Sequence, residues 1–288
     1  AYAVVEAAAK VVAAGARYDK MRYSYQEYFE RMNSETSWGK PLSALLGALK
    51  MQVELGLPSI GGKDSMSGTF QDINVPPMLM AFGITTVDAR TVISPEFKAA
   101  GHKLYLVKHT PKGDYTPDCD ALRHNFTLVT DLIEKGSVVA AYAVGFGGVA
   151  EAVSKMSFGN QIGATLTIDN SELFDYNYGS IVVESTEDIA DAAAILIGAT
   201  VEEKSVAVNG QSVALDTLLK ANTTRFESVY PAKGLKGEPC RESNHAVEAP
   251  KYKGGKVDTV KVYLPVFPGT NCDYDSAKAW RNAGAEVR

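Results

Sequence analysis

The spacing of apolar residues in the first hundred positions predicts two helices, a loop and a strand. Residues 1–14 are alanine-rich and predict a helix closed by Gly15. A second helix is predicted to have Pro41 near its first turn, and its apolar residues fall at helical spacing: Leu42, Leu45, Leu46, Leu49 and Val53. Residues 61–68 are rich in glycine and hydroxyl groups and predict a loop, and the apolar run 78–87 predicts a strand.

A second unit with regularly alternating elements is predicted to follow a hinge near residues 99–101. Strands are predicted at 103–109, 137–144, 164–168 and 180–184, and helices around 122–133, 149–156, 189–197 and 217–229. Asn209 and Gly210 separate two short apolar runs and predict a tight hairpin, because both positions tolerate a positive φ. The mixture of strands, helices and a hairpin favours an α+β architecture of packed layers.

The composition changes sharply at residue 231. Residues 231–257 are dominated by Pro, Gly, Lys and Glu without periodicity, which predicts a linker. A strand at 260–267, a helix at 276–283 and a strand from 285 then predict the opening β-α-β of a further α/β domain. The predicted division is therefore 1–96, 97–230, 231–257 and 258–288.

Charge and cysteine content narrow the class of protein. The chain has 288 residues, 45% of them hydrophobic, with 29 Lys and Arg against 34 Asp and Glu. This acidic balance argues against a nucleic-acid partner. The sequence has no apolar stretch of the length needed to cross a membrane and no signal peptide. Three widely spaced cysteines predict reduced thiols and a cytoplasmic location. The missing initiator Met and the unfinished last unit lead us to expect a piece of a longer protein.

The most promising candidate for chemistry is the stretch Gly-Gly-Lys-Asp-Ser-Met-Ser from Gly61 to Ser67. Two glycines allow a backbone to approach an anion closely, and the N–H groups of such a turn form an anion nest. Lys63 could neutralise a phosphate, Asp64 could hold a magnesium ion, and Ser65 and Ser67 could donate to phosphate oxygens. An ordinary turn between a helix and a strand explains the same composition equally well.

Two weaker candidates have plainer explanations. The Gly-Phe-Gly-Gly turn at 145–148 precedes a predicted helix, where a phosphate could bind, but close packing of a strand on the helix is favoured. Cys272 precedes another helix, but no histidine follows it to act as a base. The four histidines show no metal-ligand spacing with cysteines or carboxylates.

Two stretches together resemble a known family. Residues 57–67, Leu-Pro-Ser-Ile-Gly-Gly-Lys-Asp-Ser-Met-Ser, follow a leucine-rich helix and resemble the signature loop of phosphoribosylformylglycinamidine synthase in its long, single-chain form. Residues 266–273, Val-Phe-Pro-Gly-Thr-Asn-Cys-Asp, resemble the start of the glutaminase domain of that enzyme. Their order and the intervening linker match the layout of the family.

The resemblance implies a fold and a reaction. Family members convert formylglycinamide ribonucleotide, ATP and glutamine to formylglycinamidine ribonucleotide, ADP, phosphate and glutamate in purine synthesis, with Mg²⁺. The synthase region has two similar halves, each with an N-terminal and a C-terminal domain of the aminoimidazole ribonucleotide synthetase type. This chain would be most of the second half plus the start of the glutaminase. It would carry none of the main catalytic residues and be inactive alone. Its partners would be the first half and the glutaminase.

The resemblance also assigns roles to individual residues. Gly61, Gly62 and Lys63 would lie at the ATP phosphates, Ser65 and Asp64 would contact the substrate, and Glu6 would stand at a magnesium ligand of a second, structural nucleotide site. At that site Lys10 replaces an Asn ligand, and residues 142–148 lack the usual Asp and Ser while keeping the glycines. We therefore expect the structural nucleotide site to be degenerate.

Two alternatives follow from these departures. The chain could be a structural half that shapes the active site and docks the glutaminase. A related ATP-using enzyme, such as the selenophosphate or thiamine-phosphate kinase relatives, is disfavoured by the glutaminase-like residues 266–273.

Overall fold

The computed structural model describes residues 1–232 and 257–288, and the chain divides into two units, Ala1–Pro231 and Ala232–Arg288. Nearly all of the predicted linker 231–257 lies outside the described residues. The helices of the first unit are α1 (Tyr2–Ala13), α2 (Glu35–Leu55), α3 (Cys119–Lys135), α4 (Gly148–Phe158), α5 (Asn170–Leu173) and α6 (Leu215–Thr224). Its strands are β1 (Arg22–Tyr28), β2 (Ser59–Ser65), β3 (Thr69–Phe70), β4 (Ile73–Asn74), β5 (Met78–Ile84), β6 (Lys103–Val107), β7 (Val138–Ala143), β8 (Gly163–Leu166), β9 (Ile181–Ser185), β10 (Ala194–Val201), β11 (Ser205–Val208) and β12 (Gln211–Ala214).

A small sheet of three strands contains most of residues 57–67, the stretch that resembles the signature loop of the family. Its order is β2-β1-β5, so β1 is central and β2 lies at an edge. Helix α1 packs against this sheet, and its many alanines allow a close approach. The buried Tyr23 hydroxyl donates a hydrogen bond to the Val4 carbonyl at 2.9 Å, which fixes β1 on the helix.

A second sheet of seven strands forms the middle layer of the rest of the unit. Its order is β12-β11-β8-β10-β6-β9-β7. Successive side chains of β6 enter different cores: Tyr105 and Val107 pack with α1 and α3, whereas Leu104 and Leu106 pack with α4 and α6. Helices therefore cover both faces, and the predicted α+β layered fold is confirmed.

The segment that connects the two sheets is tied down by a buried carboxylate. Glu184 on β9 is fully buried and accepts hydrogen bonds from the Lys98 N–H at 2.8 Å and the Ala99 N–H at 3.3 Å. The Nδ1 atom of His102 lies 2.6 Å from the same carboxylate. These contacts satisfy a group whose burial would otherwise destabilise the fold.

One predicted helix is a strand instead. The predicted helix around 189–197 is wrong: residues Ala194–Val201 form β10, between β6 and β8 in the sheet. Cross-strand pairing and burial in the sheet override the helix propensity of the alanines. Gly198 is required at the centre of this strand, because a Cβ there would lie 2.0 Å from the Thr165 carbonyl oxygen.

Helix α2 begins earlier than predicted and buries a different face. Ser34 and Ser37 form a capping box, so the helix starts at Glu35 and Pro41 lies inside it instead of near its first turn. The leucine-rich face is largely exposed; Leu42 is 58% and Val53 is 71% exposed. The buried residues of the helix lie on the other side: Ser37, Pro41, Ala48, Met51 and Leu55.

The remaining elements of the first unit follow the predictions more closely. The hairpin at Asn209 and Gly210 joins β11 to β12, and both residues have the expected positive φ, 50° and 85°. The predicted helix 217–229 is shifted toward the N-terminus and ends at Thr224.

The second unit contains the short strand β13 (Lys261–Val262), helix α7 (Asp273–Asn282) and strand β14 (Glu286–Val287). The two strands pair in parallel, as a β-α-β opening requires. The predicted strand 260–267 is reduced to its first part, and Ala277 is the buried residue of the helix. The helix of the prediction began at 276, whereas α7 begins directly after Cys272.

Two of the three cysteines lie in the part of the chain that the structure describes, and both are free thiols. Cys119 is buried and free, and its burial raises the pKa of the thiol to about 11. Cys272 is exposed and free, while Cys240 lies outside the described residues. Among the described helices, none has the length and apolar character needed to span a membrane.

Gly198→Ala should strongly destabilise the first unit. The added methyl group would collide with the Thr165 carbonyl oxygen, and we expect a loss of at least about 3 kcal/mol of unfolding free energy. Gly210→Ala is the matched control: its φ is also positive, but no atom lies within 4 Å of the added carbon. The control should lose only about 1 kcal/mol in urea unfolding. Equal losses would contradict the steric explanation.

His109 should make the fold sensitive to mild acid. The ring is fully buried; its Nδ1 lies 2.8 Å from the Tyr178 carbonyl oxygen, and its Nε2 accepts the Asp118 N–H at 3.1 Å. Burial lowers the pKa of His109 below its ordinary value of 6.5, so its stabilising contribution is present above that pH and declines as the pH falls below it.

We expect His109→Gln to flatten the dependence of unfolding free energy on pH between about pH 7 and about pH 5. The control His124→Gln replaces an exposed ring and should keep the decline. A decline of unchanged size in His109→Gln would exclude His109 as its source.

Candidate functional site

Most of the stretch 57–67, which resembles the signature loop of the family, is an edge strand. The predicted loop at 61–68 is therefore wrong for residues 61–65. Residues Ser59–Ser65 form β2, which pairs in parallel with β1. Gly62 lies opposite Tyr25, and a Cβ at this glycine would be 3.0 Å from the Tyr25 carbonyl oxygen. Gly62 thus serves the close approach of two backbones, which composition alone does not distinguish from an anion-binding turn.

Lys63 and Ser65 lie together on one face of the sheet. They are opposite Gln26 and Tyr28 in the β1–β2 register. The Lys63 ammonium donates a hydrogen bond to the Ser65 hydroxyl and lies 5.9 Å from the centroid of the Tyr28 ring. Lys63 is exposed. An accessible ammonium group beside a hydroxyl group can bind the oxygens of an anion.

Asp64 is separated from this pair. Its neighbour across the strands is Glu27, and successive side chains on a strand point to opposite faces, so Asp64 lies on the face that carries Tyr25 and Glu27. Gly61 is open, since no atom lies within 4 Å of a Cβ built there. The structure therefore groups Lys63 with Ser65 and not with Asp64.

The glycine turn at 145–148 is occupied by a side chain of the protein itself. The Glu151 carboxylate accepts a hydrogen bond from the Gly147 N–H at 2.8 Å, at the start of α4. Its other oxygen accepts one from the Lys155 ammonium at 2.5 Å, and this contact holds the pKa of Glu151 below its ordinary value. A carboxylate at a helix N-terminus takes the place that a phosphate would take.

The proposed magnesium ligand Glu6 faces the same turn. Its carboxylate pairs with the Lys10 ammonium at 2.8 Å. The Oε1 atom of Glu6 lies 3.9 Å from the position of a Cβ built on Gly145. In residues 1–232 and 257–288 no three His, Cys, Asp or Glu side chains are grouped to hold a metal. The Lys10 ammonium compensates the charge of Glu6 in this arrangement, and the degenerate nucleotide site stays a hypothesis.

Sequence reasoning missed a neighbouring aromatic cavity of about 460 Å³. Its walls include residues from α1, from the segment after β6, and from α5 and the segment that follows it: Tyr2, Lys108, His109, Tyr115, Glu172, Tyr176 and Tyr178. The Tyr176 ring stacks on Phe146 with centroids 5.2 Å apart. The tyrosines are far apart in sequence and show no periodicity, so only the short Tyr-Asn-Tyr run at 176–178 could have drawn attention to it.

The three-stranded and seven-stranded sheets with their helices have the architecture of aminoimidazole ribonucleotide synthetase-like domains. No family model matches the chain. In sequence it is similar to the phosphoribosylformylglycinamidine synthase subunit PurL of Pelagibacter ubique (strain HTCC1062), with 23% identity over 229 residues, 68% of this chain and 31% of the relative.

Solved structures agree with the sequence comparison. PurLQS from Thermotoga maritima matches with a TM-score of 0.60 and 16% identity over 90% of this chain and 46% of that one. T. maritima PurL complexed with ATP matches with a TM-score of 0.56 and 14% identity, over 90% of this chain and 45% of that one. HypE of E. coli, a hydrogenase maturation protein, matches with a TM-score of 0.57 and 16% identity, over 74% of this chain and 77% of that one.

The chain is therefore PurL-like in sequence and fold, and the resemblance indicated by residues 57–67 is confirmed. It spans less than a third of the length of the curated relative and under half of the PurL structures named here. HypE has the same fold with a similar TM-score, so the fold alone does not select one function among the proteins that share it.

We expect the chain not to bind magnesium–ADP at the glycine turn, because Glu151 occupies the helix N-terminus and Lys10 neutralises Glu6. Isothermal titration calorimetry should show no saturable heat that depends on these residues at about 1 mM nucleotide. The variants Glu6→Gln and Glu151→Gln are each compared with the unmodified chain, and Glu35→Gln, which changes an exposed acid, is the control. Tight binding that Glu6→Gln abolishes would contradict the degenerate site.

Proposed function

We propose that this chain is the second synthetase-like half of a phosphoribosylformylglycinamidine synthase, joined to the start of its glutaminase domain. The complete enzyme would use ATP, glutamine and formylglycinamide ribonucleotide to form formylglycinamidine ribonucleotide, in the cytoplasm. Support comes from the PurL relative and from T. maritima PurL, which has been solved in complex with ATP and in complex with FGAR. The FGAR complex matches with a TM-score of 0.53 and 14% identity, over 72% of this chain and 40% of that one.

The observation that carries the proposal is the pair Lys63 and Ser65 on the open face of the small sheet. Both ATP and the ribonucleotide substrate carry phosphate, which an ammonium and a hydroxyl group bind well. Within the proposal, the backbone at Gly61 and Gly62 and the charge of Lys63 lie at the ATP phosphates, and Ser65 contacts the substrate. Asp64 lies on the other face and is left out of this group.

The first synthase half is the proposed partner of the uncovered apolar surface. The leucine-rich face of α2 is exposed, and so are Met78, Phe82 and Ile84 on β5. Exposed apolar patches of this extent mark interaction surfaces in soluble proteins. A site completed from two halves also accounts for our expectation that this chain alone is inactive.

A structural role is the second candidate function. The contact between Glu151 and the Gly147 N–H favours it, because a half whose nucleotide site is closed contributes shape rather than nucleotide binding. In this version the chain forms a wall of the active site and docks the glutaminase. A selenophosphate or thiamine-phosphate kinase relative remains disfavoured by the glutaminase-like residues 266–273.

Substitutions in the complete enzyme separate these functions. Ser65→Ala and Lys63→Ala should each lower kcat/KM for the ribonucleotide at least about tenfold, the loss expected when a charge-assisted contact is removed. Ser59→Ala is the matched control, since Ser59 is exposed and lies at the other end of β2. Unchanged kinetics for both variants would favour the structural role. Synthase or glutaminase activity of the chain alone would contradict our proposal of an incomplete enzyme.

A further inference from the structure

Glu27 is a buried acid without a partner. Its side chain lies on the central strand β1 and is only 1% exposed, yet neither carboxylate oxygen accepts a hydrogen bond. The Tyr25 hydroxyl, two residues earlier on the same face, is also buried without a partner. Buried polar groups are nearly always satisfied in folded proteins, so an unsatisfied carboxylate on the same strand face as an unsatisfied hydroxyl indicates that something binds here.

A second acid increases the imbalance of charge. Asp64 is the neighbour of Glu27 in the parallel register of β1 and β2, so both carboxylates lie on one face, on strands about 4.8 Å apart. Removal from water and the charge of Asp64 both raise the pKa of Glu27. Two adjacent carboxylates, one of them desolvated, require a compensating cation or a proton.

The nearest lysines along the chain do not provide that charge. Lys63 lies on the opposite face of β2 and donates to the Ser65 hydroxyl. Lys40, on α2, pairs with Glu30. No ion pair within the described residues involves Glu27 or Asp64, so a proton or a cation from solvent compensates the charge of Glu27.

We propose that Glu27 and Asp64 bind a divalent cation that prefers oxygen ligands, such as Mg²⁺ or Mn²⁺. Asp64 is exposed on an edge strand, which gives an ion a route from solvent, whereas Glu27 is too enclosed to receive a bulky guanidinium group. Such ions are commonly held by one or two carboxylates and retain several waters. The Tyr25 hydroxyl is placed on the face where it can hydrogen-bond one of these waters.

This site is separate from the proposed anion site. Lys63 and Ser65 occupy the other face of the same strand, and Glu6 belongs to α1. The inference does not rest on the proposed function, and a cation would here stabilise the small sheet by joining its edge strand to its centre.

Mn²⁺ binding to the full 288-residue chain tests the proposal by electron paramagnetic resonance. We expect one bound ion, displaced by excess Mg²⁺, and an affinity lowered at least about tenfold in Glu27→Gln and in Asp64→Asn. Asp72→Asn, which changes an exposed acid near the same sheet, should bind as the unmodified chain does. Because Asp64 is exposed, Asp64→Asn is expected to fold even if Glu27→Gln does not.

Infrared difference spectra of the unmodified chain against Glu27→Gln give a second readout. We expect saturating Mn²⁺ to shift the carboxylate stretching bands of the unmodified chain, and we expect Glu27→Gln to remove part of that shift. A shift that Glu27→Gln leaves unchanged, failure of the unmodified chain to bind the ion, or site variants that bind as tightly as the unmodified chain would each overturn the proposal. Compensation by a cationic side chain of a covering protein would give the second of these results.

Discussion

Helix α1 is the constraint on which both candidate sites depend. It is buried on nearly every side and contacts the small sheet through β5 and the large sheet through β7. Alanine side chains let both sheets approach one helix at close-packed distance. The Tyr23 hydrogen bond to Val4 then positions β1, and with it the edge strand β2, while Glu6 on the same helix faces the glycine turn.

Local patterns predicted the elements whose signals are themselves local. The hairpin at Asn209 and Gly210 depends on two residues with positive φ, and α3 depends on a clear apolar stripe. Strand β10 was mispredicted because its pairing with β6 and β8 is remote in sequence. The same limit applies to β2, since nothing within residues 59–65 reveals that β1 pairs with them. Register decides which side chains share a face, and only the fold supplies it.

The candidate site shows the same division between chemistry and geometry. Lys63 and Ser65 were selected from the sequence for their chemistry, and the strand brings them together. Asp64, between them, is carried to the other face by the alternation of a strand. Glu151 was not selected at all, because its role arises from a turn of helix that places its carboxylate over the Gly147 N–H.

The closure of the glycine turn by Glu151 has a thermodynamic consequence for the whole unit. A protein that binds a ligand only when folded gains stability in proportion to the logarithm of the free ligand concentration. Here the helix N-terminus is satisfied within the chain, by a residue four positions along. The contribution of this contact to folding is therefore intramolecular and does not depend on the concentration of a ligand.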